Sequence, residues 1–159
     1  MLTKNELKDI SIFSDLDEME AEIITSLLEQ GKYAAEEIIF QEGDACQGIF
    51  LIRQGAVQLR KLVGSGQSIL IKVSKAGEII EPLSWLNMEN EVNHYSAITL
   101  RPTETLLLGK WQINFLAEKY PALLYKIMKN FSCRMASRLN QAQMDLVDAE
   151  QYLEGGTYT

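Results

Sequence analysis

Apolar residues along the chain recur first at helical spacing, then in short strand-like runs, then at helical spacing again. Thr3 and Glu6 stand at capping-box spacing, with Leu7 and Ile10 on one side after them, which predicts a short first helix. A second helix is predicted next. Ser14 or Asp15 can cap it, Leu16, Met19, Ile23, Leu27 and Leu28 form its apolar stripe, and Gly31 is placed as its stop. From 32 to 109 the apolar runs shorten to strands at 37–40, 48–53, 56–63, 67–73, 96–100 and 104–108. Turn residues separate them, among them Gly43-Asp44, Gln54-Gly55, Gly64-Ser65-Gly66 and Ala76-Gly77. So many short strands predict a mainly β architecture with flanking helices, built on an antiparallel β jelly-roll barrel. Closing the sheets shields edges that would otherwise pair with other chains. One interruption is expected at 82–88, where Pro82 can start one or two helical turns carrying Leu83, Trp85 and Leu86.

Past Gly109 the pattern turns helical, with a short helix at 111–119 and a long one from Pro121 to about Leu153. On the long helix Met135, Leu139, Ala142, Leu146, Ala149 and Leu153 alternate four and three apart, following Met128. That is a heptad seam, and it predicts a homodimer through this helix; packing of the same stripe on the barrel is the alternative. The expected organisation is one domain: helices over 1–31, an effector-binding barrel over 32–109, hinge and dimerisation helices over 110–153, and a tail over 154–159.

Composition narrows the function. The chain has 159 residues, 15 basic against 22 acidic side chains and a net charge of −7. A chain of this size can bury about two-thirds of its unfolded surface without a metal or disulfide staple. The acidic balance argues against a broad polyphosphate-binding surface, since non-specific nucleic-acid affinity comes from Lys and Arg. Cys46 and Cys133 are too few and too far apart for a disulfide framework. Cys46 is placed in an exposed turn and Cys133 on a packed helix face. No apolar run has the length of a membrane span and the polar start is not a signal peptide, so the expected location is cytoplasmic.

The order of elements, and several motifs within it, resemble the cyclic-nucleotide-binding domain of the catabolite-activator superfamily. Ile12-Phe13-Ser14-Asp15-Leu16 is similar to that family's entry into its first helix. Glu37-Ile38-Ile39-Phe40-Gln41-Glu42-Gly43-Asp44 is similar to its strand and EGD turn, and Phe50-Leu51-Ile52-Arg53-Gln54-Gly55 to its hairpin. Gly77-Glu78-Ile79-Ile80 resembles the entry to the phosphate-binding cassette, and Leu107-Leu108-Gly109-Lys110 the strand leading to the hinge helices. The resemblance implies a short cassette helix whose backbone N–H groups, with one arginine, hold the phosphate of a cyclic nucleotide while a glutamate takes the ribose hydroxyl.

The cassette positions here are Ile80, Glu81, Pro82, Leu83, Ser84, Tyr95, Ser96 and Ala97. Aligned on Leu83, Ser96 and Ala97, Glu81 falls at the family's glycine, Pro82 at its ribose-binding glutamate and Tyr95 at its arginine. Each departure opposes the same ligand: a carboxylate near the phosphate position, a lost N–H, and a phenol in place of a guanidinium. A one-residue shift would make Glu81 the ribose ligand, with His94 or Arg101 supplying charge. The expectation is a ligand or partner other than cyclic AMP, with Trp85 a candidate pocket lid.

His94 is the only histidine and is read as a surface residue. One imidazole and no attachment motif argue against haem, for which Cys46, Met88 or Met135 would be the second ligand, and no metal site is expected. No nucleophile-base pair, Gly-rich phosphate loop or acidic dyad is present, so the expected role is non-enzymatic. A helix-turn-helix would need tens of residues after Leu153. The chain is therefore expected to be a sensor that does not bind DNA alone, either a stand-alone domain or the effector-binding part of a longer transcription regulator, with a small-molecule effector or a protein as its partner.

Overall fold

A computed structural model describes residues 1–80 and 92–155. The described elements are α1 (Lys4–Lys8), a 3₁₀ turn (Ser11–Phe13), α2 (Glu18–Leu27), strands β1 (Glu29–Tyr33), β2 (Ile38–Phe40), β3 (Gly48–Gln54), β4 (Ala56–Leu62), β5 (Ser68–Lys75), β6 (Ile79–Ile80), β7 (Ser96–Thr99) and β8 (Thr103–Gly109), then α3 (Lys110–Lys119) and α4 (Pro121–Gly155). The strands form two four-stranded antiparallel sheets, β1-β8-β3-β6 and β2-β7-β4-β5, as expected of a jelly roll.

The Thr3 capping box forms as predicted, with Glu6 N–H donating to Thr3 Oγ1 at 3.2 Å and Thr3 N–H to Glu6 Oε2 at 2.8 Å. The cap of α2 is a correction. Ser14 is spent on the 3₁₀ turn, its hydroxyl donating to Ser11 O, and Asp15 accepts from Asn130 Nδ2 of α4. Asp17 caps the helix, accepting from Glu20 N–H, while Glu20 Oε2 accepts from Asp17 N–H and from Lys126 Nζ. One carboxylate thus starts α2 and ties it to α4. Leu16 is buried ahead of the helix, and Met19 stands exposed, so the inward face of α2 is Ala21 and Ile24 with Ile23 and Leu27 beside them.

Gly31 does not stop a helix; it lies inside β1, opposite Thr105. That strand, Glu-Gln-Gly-Lys-Tyr, carries no apolar alternation because it is a half-exposed edge that pairs only with β8. A side chain at Gly31 would meet Thr105 Oγ1 at 2.8 Å. The other strands lie within a residue or two of the predicted runs, and the short β6 is an addition paired with Phe50 and Leu51.

The sheet β1-β8-β3-β6 separates two cores. Ile49 and Leu51 of β3, Ile79 of β6, and Leu106 and Leu108 of β8 face the helices, where they meet Phe13, Ile24, Ile127 and Phe131. The alternate residues Phe50, Ile52 and Ile80 face the other way into the barrel, with Phe40, Val57, Leu59 and Ala97 of the opposite sheet. Each such apolar side chain contributes about 1.5–3 kcal/mol on burial. Arg53 then locks α1 to the sheet, pairing with Glu6 at 2.9 Å and Glu104 at 3.3 Å. Thr3 N–H and the Arg53 guanidinium hold the Glu6 carboxyl down at about 2.

Helix α4 has two unlike halves. Leu123, Ile127 and Phe131 are buried at four-residue intervals, whereas every residue from 136 to 155 is exposed. Met135, read as the first seam residue, instead packs against the helix-side core. Leu139, Leu146 and Leu153 are exposed, as are Ala142 and Ala149. No helix among the described residues is long and apolar enough to cross a membrane.

Two predictions follow from this packing. Gly48 has φ +145°, and a methyl there would stand 2.7 Å from Gly109 Cα and closer still to Leu108 O. Gly48→Ala is therefore expected to cost roughly 2 kcal/mol or more in urea unfolding, whereas Gly64→Ala, with open space around it, stays within about 0.5 kcal/mol of wild type. For Glu6 the folded-state pKa lies below the ordinary 4.5, so its contribution is complete at neutral pH and is lost as pH falls from 4.5 towards 2. Glu6→Gln should flatten that part of the stability profile. Equal acid-limb slopes in the two proteins would show that the Glu6 contacts do not persist in solution.

Candidate functional site

The EGD turn between β2 and β3 builds the site by clamping the chain that enters β7. Gly43 N–H donates to Asn93 O and Asn93 N–H to Asp44 O, each at 2.9 Å, and Asn93 Nδ2 donates to Gln41 O at 3.1 Å. Asn93 is buried, and a bridge between Ala45 and Val92 extends the clamp by one step. The register of Tyr95, Ser96 and Ala97 is fixed by these bonds before β7 begins to pair with β4.

Alternation along β7 then divides the predicted site residues between two faces. Ala97 is fully buried inside the barrel, and the half-buried Tyr95 packs on the same apolar cluster, which also holds Ile80. Phe40 and Phe50 fill the neighbouring space with ring centroids 5.4 Å apart. Ser96 points the other way. Its hydroxyl accepts the Glu42 N–H at 2.9 Å and borders an outer-face groove of about 310 Å³ lined also by Ile38, Gln41, Arg60 and Ser68. The structure thus brings Ile80, Tyr95 and Ala97 together and sets the Ser96 hydroxyl apart. Glu81, Pro82, Leu83 and Ser84 lie outside the described residues, as do Trp85 and Met88.

Lys61, at the end of β4, was not among the residues singled out from sequence. Its Nζ donates to Glu42 Oε1 at 2.9 Å and to His94 O at 3.0 Å, and it sits 5.5 Å from the centre of the Tyr95 ring. The period-two pattern Val57, Leu59, Lys61 was the available signal, since it puts Lys61 on the inward side of β4. The other Glu42 oxygen accepts Leu62 N–H at 2.9 Å. Leu62 N–H and the Lys61 ammonium hold the Glu42 carboxyl below the usual carboxylate range. A cation therefore stands beside Tyr95, already matched by a carboxylate and a carbonyl.

The other candidates lie elsewhere. Arg101 is in the turn before β8 and reaches Gly55 O at 3.4 Å, and His94 is half-buried with its carbonyl on Lys61. Both cysteine placements are corrected. Cys46 is 4% exposed with its thiol directed at Gly48 O, because two residues after the EGD turn the chain already heads into the barrel wall, and Cys133 faces outward on α4, next to the half-buried 134 and 135.

Comparison with known proteins agrees with this geometry. Residues 30–120, more than half of the chain, match the cyclic nucleotide-binding domain family. A cyclic AMP receptor protein from Thermus thermophilus is 26% identical over 140 residues, covering 88% of this chain and 62% of that relative. A global nitrogen regulator from Nostoc is 22% identical over 103 residues, covering 65% of this chain and 46% of the relative. The chain spans less than two-thirds of the length of these curated relatives. Among solved structures, a cyclic nucleotide-binding domain from Methylobacillus flagellatus superposes with a TM-score of 0.80 at 19% identity, over 92% of this chain and 83% of that one. The Thermus thermophilus catabolite activator protein gives 0.72 at 23% identity, over 88% and 63%. With its two-sheet barrel, its EGD clamp and this match along most of the barrel, the chain belongs to the cyclic nucleotide-binding domain family of the catabolite-activator superfamily.

Proposed function

We propose that this chain is a regulatory, non-enzymatic sensor domain whose effector is something other than a cyclic nucleotide held by the usual cassette contacts. The observation that carries the reading is Tyr95. At the position where the family's phosphate-binding arginine is expected, the chain offers a phenol packed on the apolar interior, and the neighbouring cation, Lys61, is engaged by Glu42 and the His94 carbonyl. A hydrogen bond to a charged group is worth about 1.5–3 kcal/mol against about 1 for a neutral pair. Together with the loss of the ribose-binding glutamate at Pro82, this weakens a cyclic nucleotide by on the order of a hundredfold. The commitment of the Ser96 hydroxyl to the Glu42 backbone supports the same conclusion.

The reading includes a homodimer through α4. Its outer half is exposed all round, and an isolated helix of that length is marginal in water without a partner for its apolar residues. Leu139, Leu146 and Leu153, 60%, 62% and 71% exposed, supply the seam. An effector that binds one arrangement of barrel and helix more tightly than another would bias the pair.

Isothermal titration with cyclic AMP and with cyclic GMP tests the ligand. No saturable heat is expected at micromolar concentrations, and a micromolar Kd for either nucleotide overturns the reading. Sedimentation equilibrium tests the seam. The wild type is expected to be dimeric at micromolar concentration, and Leu139→Glu/Leu146→Glu monomeric with unchanged far-ultraviolet circular dichroism, since both positions are exposed. A monomeric wild type, or a variant that stays dimeric, rules out the seam.

A further inference from the structure

The outer face of the sheet β2-β7-β4-β5 carries a guanidinium that is held in place without a carboxylate. Ser96 of β7 stands directly opposite Arg60 of β4, and directly opposite side chains share a face, so Arg60 points out of the barrel beside the Ser96 hydroxyl. Its partners are all neutral. Nε donates to Ser68 Oγ at 2.8 Å, Nη2 to Ser68 O at 2.7 Å and Nη1 to Gln58 Oε1 at 3.1 Å. A guanidinium has five N–H groups, and these bonds use three. One N–H is left on each terminal nitrogen, the number that a carboxylate accepts in a bidentate pair. Arg53, the arginine of β3, differs in being spent on Glu6 and Glu104. Arg60 is half-buried and makes no ion pair among the described residues, although bridging β4 to β5 would need only a neutral donor.

Arg60 opens on the outer-face groove of about 310 Å³, a volume at the lower end of small-molecule sites. Two hydroxyls line it as well. Ser68 Oγ accepts from Arg60 Nε and Ser96 Oγ from Glu42 N–H, so each keeps its own proton to donate. Ile38 and Ile98, paired across β2 and β7, and Leu62 at the end of β4 give the groove apolar sides, and Ile38 and Leu62 are exposed. Glu42 is the one carboxylate among the described lining residues, and it does not answer Arg60. Its two oxygens accept Lys61 Nζ and Leu62 N–H.

We propose that this groove binds a small monocarboxylate with a short apolar body, its carboxylate on Arg60 and the two serine hydroxyls and its body against Ile38, Ile98 and Leu62. An inorganic oxyanion would use the donors and leave the apolar sides wet, and an uncharged apolar molecule would leave the guanidinium unanswered. The groove lies on the opposite side of the sheet from Tyr95 and Ala97. The inference therefore does not rest on which ligand the barrel interior takes.

The test is titration of the ¹⁵N-labelled whole chain with isovalerate, followed by nuclear magnetic resonance, with inorganic phosphate and 3-methylbutanol as comparisons. Saturable shifts at Arg60, Ser68 and Ser96 are expected with isovalerate, and binding about fivefold weaker or less with either comparison. Arg60→Gln should weaken isovalerate about tenfold, and Arg60→Lys, which keeps the charge and loses the fork, nearly as much. Lys129→Gln, exposed on α4, should change it less than about twofold. Absence of saturable shifts at the groove overturns the proposal, as does an affinity that Arg60→Gln leaves unchanged. Equal binding of 3-methylbutanol overturns it without any variant, because it would reduce the effect to apolar adsorption, and equal binding of phosphate would reduce it to the charge alone.

Discussion

Strand β3 is buried on both faces, and the rest of the structure is arranged around that constraint. Five successive residues, from Gly48 to Ile52, are shielded from water, with Ile49 and Leu51 turned to the helices and Phe50 and Ile52 to the barrel. A strand in this position cannot slip, because a one-residue shift would exchange its two apolar faces and unpair it from β6 and β8 together. The helices and the barrel interior are therefore opposite sides of one sheet. Phe131 and Ile127 on one side and the barrel interior on the other are thus joined through a single strand.

The same economy appears where the chain returns from the cassette. Backbone bonds between the EGD turn and Asn93 set the register of β7, and Glu42 joins that turn to β4 through Lys61 and the Leu62 N–H. Glu42 is thus a brace at the barrel mouth, and its engagement removes Lys61 from the stock of cations an anionic ligand could recruit. Among the described residues, Lys61 is thus matched within the chain by Glu42 and the His94 carbonyl.

Much of this was legible in the sequence, for reasons that differ element by element. The strands β2 to β5, β7 and β8 announce themselves because each is a short apolar run bounded by turn residues. Strand β1 does not, since Glu29 to Tyr33 is an exposed edge held by backbone bonds to β8, and a polar edge carries no periodic signal. The capping residue of α2 was misplaced by two or three positions because Ser14, Asp15 and Asp17 all have capping side chains. Only the tertiary contacts, with Ser14 closing a 3₁₀ turn and Asp15 reaching Asn130, decide among them. Tyr95 and Ala97 could be read from a motif. The ion pair of Lys61 with Glu42 could not, because it depends on how closely the EGD turn approaches the end of β4.

The packing of Leu123, Ile127 and Phe131 divides α4 in two. Up to Phe131 the helix is part of the core, and from 136 onward nothing among the described residues covers it. Met135 still packs inward and Leu139 is exposed, so the border falls between them, and Arg134 and Arg138 straddle it. A helix is stiff over this length, so a small rotation at the border is carried along the roughly 25 Å of exposed helix that follows. Anything that binds differently to two settings of the border selects between them, by no more than the difference in its two binding free energies.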